Sequence, residues 1–334
     1  MKKILKHQKK MQGFIYLIPF LLISCNDDDN STTNAYIPTA TEFSSLRDDA
    51  LETLTQHFQF DVENGYTSII TEKGVTISID PSCLSLNGNS VTGTIDLDYV
   101  EIFDGGNMIT TNKSTIGLMN DGNKSLLISG GEFYINATQG GQQLSINCPM
   151  TLAIPTSLTQ PGGDNTMSLW NGVIDENGNM TWEEEDTANP AGNDGIFVEG
   201  QGETAVYYAY FDSFGWTNVD RFYNDSRPKT TILADVPDGY DNNNSAIYIH
   251  YDGEGNALAH LDRYDEETEL FSEHYGQIPI GLECHIIFVS EQNDNWLYAI
   301  KEVTITANTV YSFSISETTV VTEEQLIDAI NDLP

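Results

Sequence analysis

Apolar residues along this chain change their spacing at Phe60 and again near its end. From Thr41 to Phe58, the residues Phe43, Leu46, Ala50, Leu51, Leu54 and Phe58 recur three and four apart, which places them on one face of a helix. Thr39 and Glu42 have the spacing of a capping box at its start. The pattern predicts an N-terminal amphipathic helix of about four turns. From Phe60 to about Leu158 the period becomes two. Val75, Ile77 and Ile79 alternate with Thr76 and Ser78; Val91, Gly93, Ile95, Leu97 and Tyr99 alternate with Thr92, Thr94, Asp96 and Asp98. Phe133, Ile135 and Ala137, then Leu144, Ile146 and Cys148, continue the alternation. Asn87-Gly88-Asn89, Asp121-Gly122-Asn123 and Gln139-Gly140-Gly141 punctuate it with turn residues. Short alternating strands at this spacing predict an antiparallel β-sandwich.

The second half is strand-rich and more aromatic. Met167–Trp170 and Met180–Glu183 flank a turn at 175–179, and Ile247–Tyr251 and Ala257–Tyr264 flank another at 252–256. If that loop is five residues long, His250 faces Leu258. Ile247, Ile249, Tyr251, Ala257, Ala259 and Leu261 then share a core face, and Tyr248, His250, His260 and Asp262 share the solvent face. Further strands are expected at 286–290, 296–303 and 310–315. Thr322-Glu323-Glu324-Gln325 opens a short C-terminal helix through Ile330, again with capping-box spacing. Pro161-Gly162-Gly163 marks a boundary, so the expected domains are 41–158, helix plus sandwich, and 159–334, a second β-rich domain. The expected class is mainly β: antiparallel β-sandwich domains with an N-terminal amphipathic helix and a short C-terminal helix.

The first residues carry an address. Lys2, Lys3, Lys6, Lys9 and Lys10 precede an apolar run from Phe14 to Ile23, which at about ten residues suits a signal peptide and is too short to span a bilayer. Leu22-Ile23-Ser24-Cys25 resembles the lipobox cut by the lipoprotein signal peptidase. The resemblance implies that 1–24 is a signal peptide and that Cys25 carries the lipid. More than one acyl chain gives stable anchoring. Asp27, Asp28 and Asp29 follow at once, and this run resembles the export signal of Bacteroidota surface lipoproteins. Residues 25–40 read as an acidic flexible tether. The expected location is the outer membrane, lipid-anchored and displayed on the cell surface.

A second resemblance lies in the first domain. Gly74-Val75-Thr76-Ile77-Ser78-Ile79-Asp80-Pro81-Ser82-Cys83-Leu84, Val91-Thr92-Gly93-Thr94-Ile95 and Ser129-Gly130-Gly131-Glu132-Phe133-Tyr134-Ile135 resemble a module of Bacteroidota surface proteins similar to the ZU5 β-sandwich, a non-catalytic interaction domain. It spans roughly 60–158. Asp80-Pro81-Ser82 departs from the Pro-Pro-Gly turn of that family, and the module has no catalytic set to carry over.

Charge narrows the partners. The chain holds 14 Lys and Arg against 50 Asp and Glu. Loss of the five signal lysines takes the formal charge from -36 to -41. Such a field repels nucleic acid and anionic surfaces and attracts cations, so nucleic acid is not an expected partner. With Cys25 lipidated, Cys83, Cys148 and Cys284 remain. A Cys83–Cys148 disulfide and three buried free thiols both satisfy this count outside a reducing compartment.

Signatures of chemistry are sparse. No phosphate-binding loop, His-Glu-x-x-His or Gly-x-Ser-x-Gly occurs. His250 and His260 sit diagonally on the predicted hairpin and with Asp262 offer the start of a metal site, but without a third placed ligand none is assigned. The Asx-rich stretches 175–179, 183–194 and 235–244 leave room for one weak structural Ca²⁺; no cofactor is otherwise expected. Trp170, Trp182, Trp216 and Trp296 with Tyr207, Tyr208 and Tyr210 are candidates for a glycan-stacking platform or for core. Asp186-Thr187-Ala188 resembles the Bacteroidota O-glycosylation motif, making Thr187 a candidate acceptor. The expectation is a non-enzymatic surface protein, membrane-held through its lipid, that binds or scaffolds an extracellular protein or glycan. The rivals are a polysaccharide hydrolase with paired carboxylates and a Ca²⁺-stabilised adhesin.

Overall fold

Alternation becomes strand where the pattern is strongest. Ile77 and Ile79, Ile95, Leu97 and Tyr99, and Phe133, Ile135 and Ala137 are buried, while Thr76, Ser78, Asp96, Asp98, Tyr134 and Asn136 between them are partly exposed. The computed structural model describes residues 36–159, 162–185, 195–273 and 276–334, and these described residues are mainly β with three α-helices. These are α1 (Ala40–Leu54), α2 (Gly105–Thr110) and α3 (Glu323–Asn331). Both expected capping boxes form. The Thr39 hydroxyl accepts from the Glu42 N–H at 3.2 Å and the Glu42 carboxylate from the Thr39 N–H at 2.7 Å; Thr322 and Gln325 repeat the exchange on α3. Helix α1 stops at Leu54, a turn sooner than the spacing implies. Gln56–Asp61 pairs antiparallel with Thr94–Ile102, which draws Phe58 into a strand.

An eight-stranded sheet runs Gln56–Asp61, Thr94–Ile102, Lys124–Gln139, Gly215–Phe222, Ser168–Ile174, Met180–Glu184, Ile116–Leu118, with Gln142–Gln143 pairing on Lys124–Gln139 off this path. Ile116–Leu118 also pairs with Lys124–Gln139, so five strands close on themselves. Leu127, Trp170, Met180 and Trp182, all from strands of this ring, form their own buried cluster. The Trp182 indole N–H donates to the Ser114 carbonyl at 2.9 Å. Gly172 lies against this cluster. A Cβ there would stand 2.6 Å from Trp216 Cβ, 2.8 Å from Met180 Sδ and 2.9 Å from the Trp182 ring. We expect Gly172→Ala to cost about 1–3 kcal/mol through overpacking, read as a lower urea midpoint with an unchanged slope.

A five-stranded antiparallel sheet runs Ile196–Glu199, Val206–Phe211, Met150–Pro155, Thr76–Ile79, Thr67–Ile70. Its inward residues Ile77, Leu152, Ile154, Tyr207 and Ala209 share one continuous core with Ile95, Leu97, Phe133 and Ile135 of the first sheet. Cys83 and Cys148 are joined by a disulfide, with Cα atoms 5.6 Å apart.

The division expected at 158/159 runs through these sheets. Strands between 168 and 222 are hydrogen-bonded to strands between 76 and 154, and 36–334 forms one compact unit. Gly162, expected in a linker, donates its N–H to the Gly202 carbonyl at 3.0 Å; its neighbour Pro161 lies outside the described residues.

A third sheet runs Leu258–His260, Ser245–Tyr251, Glu283–Glu291, Trp296–Thr304, Thr319–Val321. Both faces of its central strands, Ser245–Tyr251 and Glu283–Glu291, are buried, which explains their near-continuous apolar runs. Ile247, Ile249, Ile286 and Phe288 join the main core. Ala246, Tyr248, Ile287, Val289 and Trp296 pack instead with Phe43 of α1, Met108 and Ile109 of α2 and Leu326 and Ile330 of α3. Phe43 meets Trp296 edge to face at 6.2 Å. Helix α1, grouped by sequence with 41–158, thus docks on strands of the second half.

Candidate functional site

The Gly215–Phe222 strand ends where the first sheet comes close to the third, and an open cleft of about 650 Å³ lies there. Arg221, Phe222 and Tyr223 line it from this strand and its exit, Leu126 from Lys124–Gln139, Tyr251 from the third sheet, and Asp164, Asp225, Lys229 and Gln277 from loops and a short strand. Tyr223 stands edge-on to Tyr251 at 5.3 Å, both rings giving the cleft an apolar wall.

Ion pairs fix the polar wall. Arg221 Nε donates to Asp164 at 2.6 Å, and Asp164 also accepts from the Thr166 N–H and hydroxyl at 2.8 and 2.6 Å. Arg227 grips Asp225 through Nε and Nη2 at 2.8 and 2.5 Å, with Lys229 Nζ 3.7 Å away. Arg227 hydrogen bonding holds the Asp225 carboxyl well below the usual range. Burial pushes Asp164 up, but Thr166 and Arg221 bonding outweighs it and leaves the carboxyl lowered. Both lining carboxylates are therefore ionised at neutral pH. Arg221 and Lys229 line the cleft against Asp164 and Asp225, a local charge balance in a chain of net charge -36. Glu254 has its pKa raised by burial and opposed by Arg221, but it does not line the cleft.

The hairpin register is as the sequence implied: His250 pairs with Leu258 and Tyr248 with His260. The face expected in solvent is covered. His260 is buried against the Tyr248 ring at 4.7 Å, and burial lowers its pKa to about 4. Asp262 meets Lys124 Nζ at 3.4 Å. His250 is grouped instead with Asp252 and with His285, its cross-strand partner. His285 escaped sequence reading because the pairing of Ser245–Tyr251 with Glu283–Glu291 bridges more than thirty residues and leaves no local signal.

Two acids are fully buried where the first sheet bulges. The register between Gly215–Phe222 and Lys124–Gln139 shifts between Asn218 and Asp220, opposite Gly130-Gly131. Gly131 has φ +132, and a Cβ there would strike Phe103 and Phe133 at 2.6 Å. The shift turns Glu132 and Asp220 inward. Asp220 accepts from Asn218 Nδ2 at 2.6 Å, whereas neither Glu132 oxygen has a hydrogen-bond partner. Burial raises both carboxyls well above the usual range, and the charge of Asp220 adds to the effect on Glu132.

Other sequence candidates fall into place unevenly. Cys25, Asp27, Asp28, Asp29 and Thr187 lie outside the described residues. Trp170, Trp182, Trp296 and Tyr207 are core. Tyr208 and Tyr210 stack with the exposed Phe197 at 5.1 and 6.2 Å on the outside of the second sheet. In the 175–179 turn, Asp175 accepts from the Asn177 and Asn179 N–H groups at 2.8 and 2.9 Å, an Asx turn. No protein-family model matches the chain, and no curated protein matches its sequence.

Proposed function

We propose that this is a non-enzymatic, lipid-anchored protein of the outer cell surface, held through Cys25, that binds an extracellular glycan in the Arg221–Tyr223–Lys229 cleft. In this reading the first two sheets stack as a ZU5-like β-sandwich and the third sheet with its helices forms the far wall of the site. The observation that carries the proposal is the cleft's composition. Planar donors and acceptors (Arg221, Gln277, Asp164) line the cleft together with aromatic rings, the pairing that sugar hydroxyls and ring faces require. A hydrolase would need one carboxyl kept protonated beside a second one. Asp164 and Asp225 are both held ionised, which supports binding over hydrolysis. No helix among the described residues is long and apolar enough to cross a membrane.

The test is an array of neutral and uronate-bearing oligosaccharides, followed by calorimetry on any hit. Arg221→Ala and Gln277→Ala are each expected to weaken binding at least tenfold, with Phe197→Ala unchanged. Binding that survives both cleft substitutions and falls with Phe197→Ala would move recognition to the outer aromatic stack. Release of reducing ends from a bound oligosaccharide would refute the non-enzymatic reading.

A further inference from the structure

We propose that His250, Asp252 and His285 form a binding site for one divalent transition-metal ion, with Zn²⁺ the best match. The strand pairing builds this site. His250 and Asp252 are two residues apart at the end of one strand, so their side chains leave the same face, and His285 stands opposite His250 on the next strand. One ligand atom from each lies within 4.8 Å of the other two. His285 Nδ1 and Asp252 Oδ1 are 2.8 Å apart, a separation that a shared proton or a shared cation can bridge. Bonds of about 2.0–2.1 Å in a tetrahedral zinc site put neighbouring ligand atoms roughly 3.3 Å apart, so side-chain shifts of about 1.5 Å or less close the set.

A second observation points the same way. His250 is 1 % exposed and its Nδ1 has no hydrogen-bond partner, a desolvation cost that natural interiors avoid unless something occupies the position. Two imidazoles and one carboxylate suit zinc-class ions and leave Ca²⁺ and Mg²⁺, which prefer all-oxygen shells, poorly served. Glu302 pairs with His285 across the following strand and is exposed, so a fourth ligand from protein or water has a route in. The acidic chain raises the local cation concentration. The site would tie the 252–256 turn, whose Gly255 carbonyl accepts from Gly105 of α2 at 3.3 Å, to the centre of the third sheet.

Untagged protein, stripped with chelator, is titrated with ZnCl₂ by calorimetry and with CoCl₂ by visible absorption. The expected result is one equivalent bound, with Asp252→Asn and His285→Gln each weakening it at least tenfold. His57→Ala, which removes the exposed histidine beside Asp98 and Glu52, should leave that equivalent intact. Asn keeps the hydrogen bond to His285, so the Asp252 variant separates loss of a ligand from loss of fold, checked by near-UV circular dichroism. Failure of the parent protein to bind a saturable equivalent, or binding that survives both ligand substitutions, overturns the proposal.

Discussion

Replacing Cys83 and Cys148 together by Ser should lower stability by about 4 kcal/mol, read as a fall in melting temperature of roughly 6 °C. The bridge spans a sequence separation of 65, and in the chain-entropy account the gain comes from restricting the unfolded chain over that loop. The cysteines flank two strands that already pair, Thr76–Ile79 with Met150–Pro155, so the folded state needs little rearrangement to accept the bond. The loop it closes carries the Thr94–Ile102 and Lys124–Gln139 strands of the first sheet. Thermal melts of the double variant, and of the parent in reductant, should agree. A shift under about 2 °C in both would mean that the bridge leaves the unfolded ensemble unrestricted. Cys284 should not exchange with the disulfide. It is buried, and burial pushes its thiol up to about 12, so little of the attacking thiolate exists at neutral pH.

The second large effect is a pH dependence set by Glu132. Its carboxyl is raised in the folded state by burial and by Asp220, and only partly relieved by the buried Lys113. A carboxyl raised on folding binds its proton more tightly when folded. Its stabilising contribution is complete below the unfolded value, about 4.3, and is lost as pH climbs towards the raised folded value. Glu132→Gln removes that loss. Relative to the parent, the variant should therefore gain with rising pH, by on the order of 1–3 kcal/mol between pH 5 and pH 8. Melts at the two pH values decide it. Equal shifts at both, or a larger deficit at pH 8, would mean that Glu132 is ionised and held by Lys113.

Capping and hairpin-turn signals in the sequence are accurate, and long-range pairing is mute. Thr39 with Glu42 and Thr322 with Gln325 marked real helix starts because capping is settled within four residues. The 252–256 turn set the hairpin register for the same reason. Burial of the second face was not legible. Alternation tells which residues share a face, not what later covers it, and His250 and His260 were placed in solvent because nothing near them announces α2 and α3. The boundary at 158/159 failed similarly. Pro161-Gly162-Gly163 looks like a linker, and only the pairing of Lys124–Gln139 with Gly215–Phe222 reveals that the chain returns. The cleft draws its walls from five separate stretches, so no single motif in the sequence could have named it.

The start of the described chain has a mechanical consequence. The Tyr36 hydroxyl donates to Glu291 at 2.7 Å, the Tyr240 hydroxyl to the Tyr36 carbonyl at 3.2 Å, and Asn244 Nδ2 to the Pro38 carbonyl at 3.1 Å. These partners flank the strands of the third sheet, the one whose central strands are covered on both sides. If the protein is held at Cys25 and binds a glycan polymer in the cleft, as proposed, drag on that polymer would load the described fold first at residues 36–39 and the third sheet. Such tension would first break a few side-chain hydrogen bonds at Tyr36 and Pro38, before any core strand is sheared.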